Sequence, residues 1–376
     1  MNILDDLITG SGAASYCLYA SSDCADMRYL TGFVAHDPVP VIKIPGEKPV
    51  MILPQMEADR GEKESFARVV TRRQAGYYEI IESEKDPYRI TAAMMQRVAP
   101  GPVIIPPDLP VGLARALEDH TRVIVDNTSH VRSIRAVKAT GEIEHITRVQ
   151  RAAEKALEQV LRVIHTARVR NGVLWHDDEP LTSERIRFGI QTNLLMHGCS
   201  ARDTIVACGE DTAMPHCQGS GPLYANQPIV IDLFPQCERT GYHADMTRTV
   251  SKGEPSSRVL ELHAAVNEAL ILGESQVKEG ASGSDIHQAV RDLFEQQGFR
   301  SDSEGFTHSL GHGVGLEVHE LPSLSPAGGP LVAGNVVTVE PGLYYRGVGG
   351  VRIENLGVVT GSGYECLTRY DKEMIL

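Results

Sequence analysis

Four carboxylates at apolar, strand-like runs constrain the fold of this chain more than any other feature. They are Asp232, Asp245, Glu340 and Glu354. Glu340, for example, directly follows the run Val336–Val339 and precedes Pro341. An unpaired carboxylate in such a strand is expensive to bury, so its partner is either a basic side chain or a metal ion. The chain must therefore fold so that each of these carboxylates lies next to a basic side chain or a metal ion.

The two aspartates belong to one predicted hairpin. Asp232 ends the apolar run 228–231, and Asp245 comes just before a second run at Met246. An antiparallel pair joined by a turn would let the two aspartates face one another. Glu354 is placed inside a predicted strand at Val351–Leu356.

A histidine-rich segment, 306–320, adds imidazoles to this set. It carries His308, His312 and His319 among glycines. Glycine lets the backbone approach a ligand closely, and imidazole both binds metals and transfers protons near neutral pH. The segment is predicted to be a wall of an active site.

The charges of these groups suggest a metal centre. Two Asp and two Glu residues supply a charge of −4, which two divalent cations would balance, and one histidine would complete the set. Oxygen-rich ligation with one imidazole suits Mn(II), Fe(II), Co(II) or Zn(II), whereas a structural zinc site favours thiolates. Composition does not choose among these metals.

Length and composition exclude several classes of protein. A chain of 376 residues predicts two domains. A formal charge of −13 argues against a nucleic-acid-binding surface. The sequence predicts a cytoplasmic protein without a membrane span, since it has neither a signal-like N-terminus nor an apolar run of roughly 20 residues. Its seven cysteines form no CxxC pair, which predicts reduced thiols.

The pattern along the chain predicts an α/β (α+β) protein. Residues 1–132 alternate short apolar runs with helical patterns, which is typical of an α/β layer, and 27–33 is interpreted as a strand-edge motif. The border is predicted at 133–142, where a long amphipathic helical pattern starts and runs to about residue 170. Residues 133–376 are predicted to be helices packed on sheet.

The motifs in order resemble those of the pita-bread metallopeptidases, within them the prolidase and aminopeptidase P branch. The order is Asp232, Gly-Tyr-x-x-Asp245-x-Thr-Arg-Thr, His308-x-x-x-His312-Gly-x-Gly-x-x-x-His319-Glu320, Thr338-x-Glu340-Pro-Gly and Arg352-x-Glu354. Two further stretches, 204–216 and 28–33, are similar to the branch's substrate-side segment and creatinase-like N-terminal domain. The resemblance covers nearly the whole chain. It implies a creatinase-like domain at 1–132 and a pita-bread catalytic domain at 133–376.

The resemblance also implies roles for individual residues. It makes Asp232, Asp245, His312, Glu340 and Glu354 the ligands of two metal ions, with Asp245 and Glu354 bridging them. It implies catalytic roles for His308, His319 and Glu340, and substrate-side roles for His216 and for Arg352, which would pair with Asp232. One departure is that the interval from Asp232 to Asp245 is about two residues longer than is usual in the family.

The implied activity is hydrolysis of the Xaa-Pro bond at the N-terminus of short proline-containing peptides. The implied cofactors are two divalent ions, Mn, Co or Zn with Fe also possible, and the implied assembly is a homodimer. The residues leave open a metal-free creatinase-like amidinohydrolase, a lyase on the same fold and a catalytically silent interaction protein. They also do not separate dipeptidase from aminopeptidase, although Arg346 is a candidate to bind a substrate carboxylate.

Overall fold

The computed structural model describes residues 2–376, with Asn2 described by its backbone alone. The chain divides into two compact units, Met1–Arg135 and Ala136–Leu376. The division into domains at 132/133 stays a prediction. Among the described residues, no helix has the length and apolar character needed to cross a membrane.

The first unit contains a six-stranded mixed sheet. Its strands are β1 Ser15–Ala20, β2 Val39–Lys43, β3 Val50–Leu53, β4 Arg68–Thr71, β5 Val103–Ile105 and β6 Val123–Val125. They lie in the order β4-β3-β2-β1-β5-β6. The pairs β1–β2 and β2–β3 are antiparallel, and the other neighbours are parallel. Parallel neighbours require crossover connections, which here contain helices.

Helices cover both faces of this sheet. They are α1 Asn2–Gly10, α2 Ala25–Thr31, α3 Gln55–Glu64, α4 Tyr77–Ser83, α5 Pro87–Val98, α6 Val111–Glu118 and α7 His130–Ala136. Cys17 packs in one core with Met95 of α5, while its neighbour Leu18 packs in the other with Met27 of α2. Successive side chains of a strand thus enter opposite cores. The prediction of a strand edge at 27–33 is wrong, because this segment contains most of α2, which Gly32 ends with φ +69°.

The second unit contains four helices and fifteen strands in its described residues. The helices are α8 Thr140–Thr166, α9 Ser183–Met196, α10 Ser257–Gln276 and α11 Gly283–Gln296, with a 3₁₀ turn at Gly209–Ala213. The strands are β7 Arg168–Arg170, β8 Val173–His176, β9 Glu179–Pro180, β10 Cys199–Ser200, β11 Ile205–Cys208, β12 Ile229–Leu233, β13 Gln236–Cys237, β14 Met246–Val250, β15 Gly311–Gly313, β16 Glu320–Leu324, β17 Val336–Val339, β18 Gly342–Tyr345, β19 Gly349–Arg352, β20 Asn355–Val359 and β21 Tyr364–Cys366.

The sequence marks the ends of these helices clearly. Thr182, Ser256 and Ser282 each accept a hydrogen bond from a backbone N–H of the first turn of α9, α10 or α11. The buried residues of α8 recur at helical spacing from Ile146 to Ile164, as the amphipathic pattern predicts.

Two sheets of this unit carry the strands named in the sequence motifs. One has the order β11-β12-β14 and the other β16-β15-β17-β20-β21. A third pair, β18–β19, extends the β17–β20 pair, because the chain passes from β17 to β18 through Glu340–Pro341 and returns from β19 to β20 through Ile353–Glu354. The single strand predicted at Val351–Leu356 is therefore two strands that meet at Glu354.

Candidate metal centre

One cavity of the second unit, of about 600 Å³, contains all nine predicted site residues in its lining. They are His216, Asp232, Asp245, His308, His312, His319, Glu340, Arg352 and Glu354. The cavity therefore brings together residues that lie more than a hundred positions apart in the chain. Their individual roles stay predictions.

The two aspartates enter the cavity from the same face of the β11–β12–β14 sheet. Asp232 of β12 is directly opposite Thr247 of β14. Asp245 lies two residues before Thr247 and shares its face, because side chains on a strand alternate. The predicted pair of facing aspartates is thus a diagonal pair, and each contributes a carboxylate to the same side.

The two glutamates enter the cavity where the sheet switches direction. Glu340 follows β17 and Glu354 precedes β20, so both lie at the junction between the β17–β20 and β18–β19 pairs. Residues at such a junction leave the regular alternation of a sheet. Both carboxylates line the cavity, and neither residue belongs to a strand.

His312 reaches the carboxylates from β15 between two glycines. A Cβ on Gly311 would lie 2.1 Å from the Thr338 carbonyl oxygen, and one on Gly313 would lie 2.2 Å from the Leu321 carbonyl oxygen. Only glycine permits so close a backbone approach. The His312 Nδ1–H donates to the Gly313 carbonyl at 3.1 Å. Its Nε2 is therefore the ring nitrogen that faces the carboxylates, 3.3 Å from Glu340 and 3.7 Å from Asp245, where it donates to Glu340 when protonated and can bind a metal ion when deprotonated.

Asp245, His312 and Glu354 form a group that could hold a cation. Each offers one ligand atom, and these atoms lie within 4.8 Å of one another. Burial and the neighbouring carboxylates raise the pKa of Asp245 and of Glu354 well above their ordinary values. Burial alone would lower the pKa of His312, but the Glu340 carboxylate outweighs it and raises this pKa. All three groups thus bind a proton more readily than they would in water, so the site favours a cation.

One oxygen of Asp232 provides an independent test of metal binding. Its Oδ2 accepts a hydrogen bond from Arg352 at 2.6 Å. Its Oδ1 is buried and has no hydrogen-bond partner among the described residues. Buried polar atoms nearly always have partners, so a free oxygen on an aspartate that lines the same cavity as three other carboxylates fits coordination of a divalent cation.

In the metal-free protein, the free energy of unfolding is expected to fall as the pH rises. The pKa values of Asp245 and Glu354 are higher in the folded than in the unfolded chain, so unfolding releases protons above about pH 4. The raised pKa of His312 acts in the same direction. Between pH 5 and 8, the thermal midpoint of EDTA-treated protein should drop by roughly 5 °C more than that of Zn²⁺-loaded protein. Parallel curves in differential scanning fluorimetry would contradict this, and metal-free Asp245→Asn should show a smaller drop.

The Asp-Met-Thr-Arg-Thr motif, 245–249, forms hydrogen bonds that hold Glu354 and Arg352 in place. The Thr247 hydroxyl donates to Glu354 at 2.8 Å and accepts from Arg352 Nε at 3.2 Å. Arg248, on the other face of β14, donates to the Glu354 carbonyl at 2.6 Å. Thr249 exchanges hydrogen bonds with the backbone of Arg352. The motif thus fixes both the side chain and the backbone around Glu354.

His308, Tyr344 and Arg352 form a chain of hydrogen bonds that ends at Asp232. The His308 Nδ1 lies 2.7 Å from the Ser309 carbonyl, which only accepts, so Nδ1 carries the proton. Burial lowers the pKa of His308, so its Nε2 is an acceptor, 2.9 Å from the Tyr344 hydroxyl. Arg352 donates to that hydroxyl at 2.8 Å. These hydrogen bonds assign His308 the tautomer with its proton on Nδ1 and its lone pair on Nε2.

Loss of the Tyr344 hydroxyl is expected to slow turnover while metal stays bound. Tyr344→Phe leaves the His308 Nε2 and one Arg352 N–H without their partner, which loosens the support of Asp232. We expect kcat/KM on a Xaa-Pro peptide, the substrate implied by the resemblance, to fall by about 10- to 100-fold. Tyr345→Phe is the matched control, because the Tyr345 hydroxyl accepts from the Arg300 backbone instead. Equal effects of the two substitutions would contradict the prediction.

His319 is brought beside His312 by a folded loop between β15 and β16. The rings of the two histidines have centroids 4.2 Å apart. Glu320, the next residue, accepts the backbone N–H groups of Leu316 and Glu317 at 2.8 and 3.0 Å. Its carboxylate also accepts from Lys138 at 3.1 Å. This buried ion pair therefore holds the loop that positions His319.

Breaking the Lys138–Glu320 pair is expected to destabilise the protein strongly. The side chains of Lys138 and Glu320 are 1% and 3% exposed, and Lys138→Met would remove the cation of this buried ion pair. We expect the free energy of unfolding to fall by about 3–5 kcal/mol in urea titrations. Arg148→Met, which breaks an exposed pair with Glu144, should change it little. A small effect of Lys138→Met would contradict this.

Several cavity residues were not predicted from the sequence. Asp203, with φ +58°, lines the cavity and accepts a hydrogen bond at 2.9 Å from Gln218, which also lines it. Phe234, from the turn after β12, forms part of an apolar wall. No motif marks these residues, because their position follows from strand pairing and turn length. The same holds for Tyr344, whose hydroxyl contacts His308 although the two residues are 36 positions apart.

Comparison with known proteins identifies relatives of this chain. The profile of the family "Metallopeptidase family M24" matches residues 144–361. "Uncharacterized peptidase SAS1635" of Staphylococcus aureus (strain MSSA476) is 34% identical over 246 residues, which are 64% of this chain and 65% of that protein. The chain thus matches slightly less than two thirds of that relative's length.

Solved structures match over almost the whole chain. The X-Pro aminopeptidase from Thermotoga maritima MSB8 is 27% identical, with a TM-score of 0.79, and the match covers 97% of this chain and 98% of that one. The prolidase from Pyrococcus furiosus is 24% identical, with a TM-score of 0.79 and coverage of 98% and 100%. At this lower identity the likeness concerns the fold alone.

These matches confirm the predicted fold class, a mixed α/β N-terminal domain followed by a pita-bread catalytic domain. The family implies divalent metal ions, in agreement with the donor set of Asp245, His312 and Glu354. Since the family profile covers more than half of the sequence, the chain belongs to metallopeptidase family M24.

Proposed function

We propose that this metallopeptidase hydrolyses the Xaa-Pro bond at the N-terminus of short peptides, using two divalent cations. The proposed ligands are Asp232, Asp245, His312, Glu340 and Glu354. The observation that carries the proposal is that these five donors line one cavity, in which a buried oxygen of Asp232 has no hydrogen-bond partner in the described part of the chain. Mn, Co, Zn and Fe all suit such a set.

The chain's own groups supply proton transfer and orientation. When bound, the cations would lower the pKa of a water molecule and polarise the scissile carbonyl. Glu340 accepts a proton on its carboxylate and returns it to the leaving nitrogen. His319 donates a hydrogen bond to the charge that develops on the carbonyl oxygen. His308, whose two ring nitrogens are both engaged, positions Tyr344 and through it Arg352.

The cavity's apolar part suits a prolyl ring. The apolar residues Ile205, Pro215, Phe234 and Val318 line the cavity, and His216 lines it as well. Proline lacks an amide N–H and restricts the residue before it, so a dedicated apolar site is chemically sensible. The likeness to the Thermotoga maritima X-Pro aminopeptidase supports the same specificity.

Charges in the cavity favour substrates that extend beyond proline. Arg352 lines it but is engaged by Asp232 and Tyr344, so a substrate carboxylate would have to compete for it. The Asp203 carboxylate would repel a second carboxylate nearby. We therefore expect Xaa-Pro-Yaa peptides to be cleaved faster than free Xaa-Pro dipeptides.

An assay of both peptide classes tests this function. Xaa-Pro and Xaa-Pro-Yaa are incubated with protein loaded with Mn, Co or Zn in turn, and Xaa-Ala-Yaa serves as the control for proline. The proposal is supported if Xaa is released from the peptides with proline in second position and not from Xaa-Ala-Yaa. No hydrolysis with any metal overturns it, and so does activity that survives chelation, as expected of a metal-free amidinohydrolase. Faster turnover of a non-peptide substrate would favour a lyase. Size-exclusion chromatography tests the proposed homodimer.

A further inference from the structure

Two cysteines lie directly opposite each other on neighbouring strands. Cys199 of β10 pairs with Cys237 of β13 in antiparallel register. The Glu238 N–H donates to the Gly198 carbonyl at 3.1 Å, which makes Cys199 and Cys237 a non-hydrogen-bonded pair. In such pairs the Cα atoms are about 4.5 Å apart and the side chains are closest. A disulfide needs Cα atoms about 4.4–6.8 Å apart, so the backbone already permits one.

The two thiols differ in a way that suits stepwise oxidation. Cys199 is 3% exposed, whereas Cys237 is partly exposed. A hydrogen bond with the Cys199 thiol lowers the pKa of Cys237, and the backbone N–H groups of Thr240 and Arg239 contribute. The thiolate is the reactive form of cysteine. Cys237 is thus the accessible nucleophile, and Cys199 is the protected partner beside it.

We propose that Cys199 and Cys237 are a redox modification site that hydrogen peroxide converts to a reversible disulfide. The Cys237 sulfur attacks one peroxide oxygen, so that an S–O bond forms, the O–O bond breaks, and sulfenic acid and one water result. The Cys199 sulfur then attacks the Cys237 sulfur, so that an S–S bond forms and a second water leaves. Two thiols are oxidised and one peroxide is reduced to two waters.

The bridge would connect two walls of the catalytic cavity. Cys237 lies in the turn between Asp232 and Asp245, which also carries Phe234, and Cys199 begins the segment that leads to Asp203. A covalent link between these segments restricts both. It also closes a loop of the unfolded chain, so oxidation should raise the thermal midpoint by roughly 5 °C. The proposal concerns thiol chemistry and does not depend on the peptidase specificity.

Peptide mapping tests the site directly. Full-length protein loaded with Zn²⁺, which is not redox-active, is reduced, freed of reductant and exposed to a fivefold excess of hydrogen peroxide. Free thiols are then alkylated with N-ethylmaleimide and the digest is analysed by mass spectrometry. We expect loss of two thiols per chain, a linked Cys199–Cys237 peptide, and recovery of both thiols with a phosphine reductant.

Variants separate the proposed pair from general oxidation. Cys199→Ser should lose one thiol and leave a sulfenic acid at Cys237 that dimedone traps. Cys366→Ser removes an exposed cysteine elsewhere and should still give the linked peptide. The proposal is overturned if both Cys199 and Cys237 stay alkylatable in wild-type protein while Cys366 is oxidised. It is equally overturned if Cys237 proceeds to sulfinic acid with Cys199 still free. The wild-type map decides even if a variant fails to fold.

Discussion

Replacing His312 with alanine is expected to remove bound metal and to lower kcat/KM by about 1,000-fold or more. The His312 Nδ1–H is donated to the Gly313 carbonyl, so its Nε2 faces Asp245 and Glu340 and is the atom that can bind metal once it is deprotonated. Without this imidazole, the carboxylates lose a neutral donor and repel one another more strongly. Loss of metal charge stabilisation costs several kcal/mol in the transition state, which corresponds to such a decrease in rate. Elemental analysis after gel filtration measures the metal, and a Xaa-Pro-Yaa assay measures the rate.

His319 and His308 provide the matched controls. The His319 ring lies 4.2 Å from that of His312, yet it is assigned to the substrate. His319→Ala and His308→Ala should keep their metal and lose about 10- to 100-fold in rate. Equal metal loss in all three variants would contradict the separation of roles. Full metal content in His312→Ala would remove this residue from the ligand set.

Most residues of the candidate site can be predicted from the sequence, because the motifs that carry them are local. Each carboxylate is placed by the strand next to it, and the period-2 alternation of β12 and β14 sets the face of Asp232 and Asp245. The spacing of glycines around His312 predicts close backbone approach, which the carbonyl oxygens of Thr338 and Leu321 explain. Local pattern and turn chemistry therefore suffice for these residues.

Other features depend on contacts that no local pattern contains. Glu354 falls in a stretch, 351–356, that has the pattern of a single strand, and nothing in it marks the change of strand partner. The Lys138–Glu320 pair joins residues 182 positions apart. The error at 27–33 is different, because Asp26 in the first turn and Gly32 after the last are ordinary helix signals.

Replacing Glu340 with glutamine is expected to lower kcat by about 100- to 10,000-fold with a much smaller loss of metal. Burial alone would raise the pKa of Glu340, but the hydrogen bond with His312 and the charges around it lower this pKa to about 2. The carboxylate is therefore ionised at neutral pH and can accept a proton. Glutamine keeps the shape and one oxygen donor but removes the base, which accounts for a rate loss of that size.

The size of the metal loss relative to the rate loss decides the role of Glu340. If its main contribution is proton transfer, Glu340→Gln retains most of its metal and binds a competitive Xaa-Pro inhibitor with little change. If its main contribution is ligation, metal content falls as steeply as kcat, and added metal restores both. Near-normal kcat in the metal-loaded variant would exclude Glu340 as the base. In that case His319, whose pKa is lowered by burial and by His312, would be the next candidate to accept a proton in this cavity.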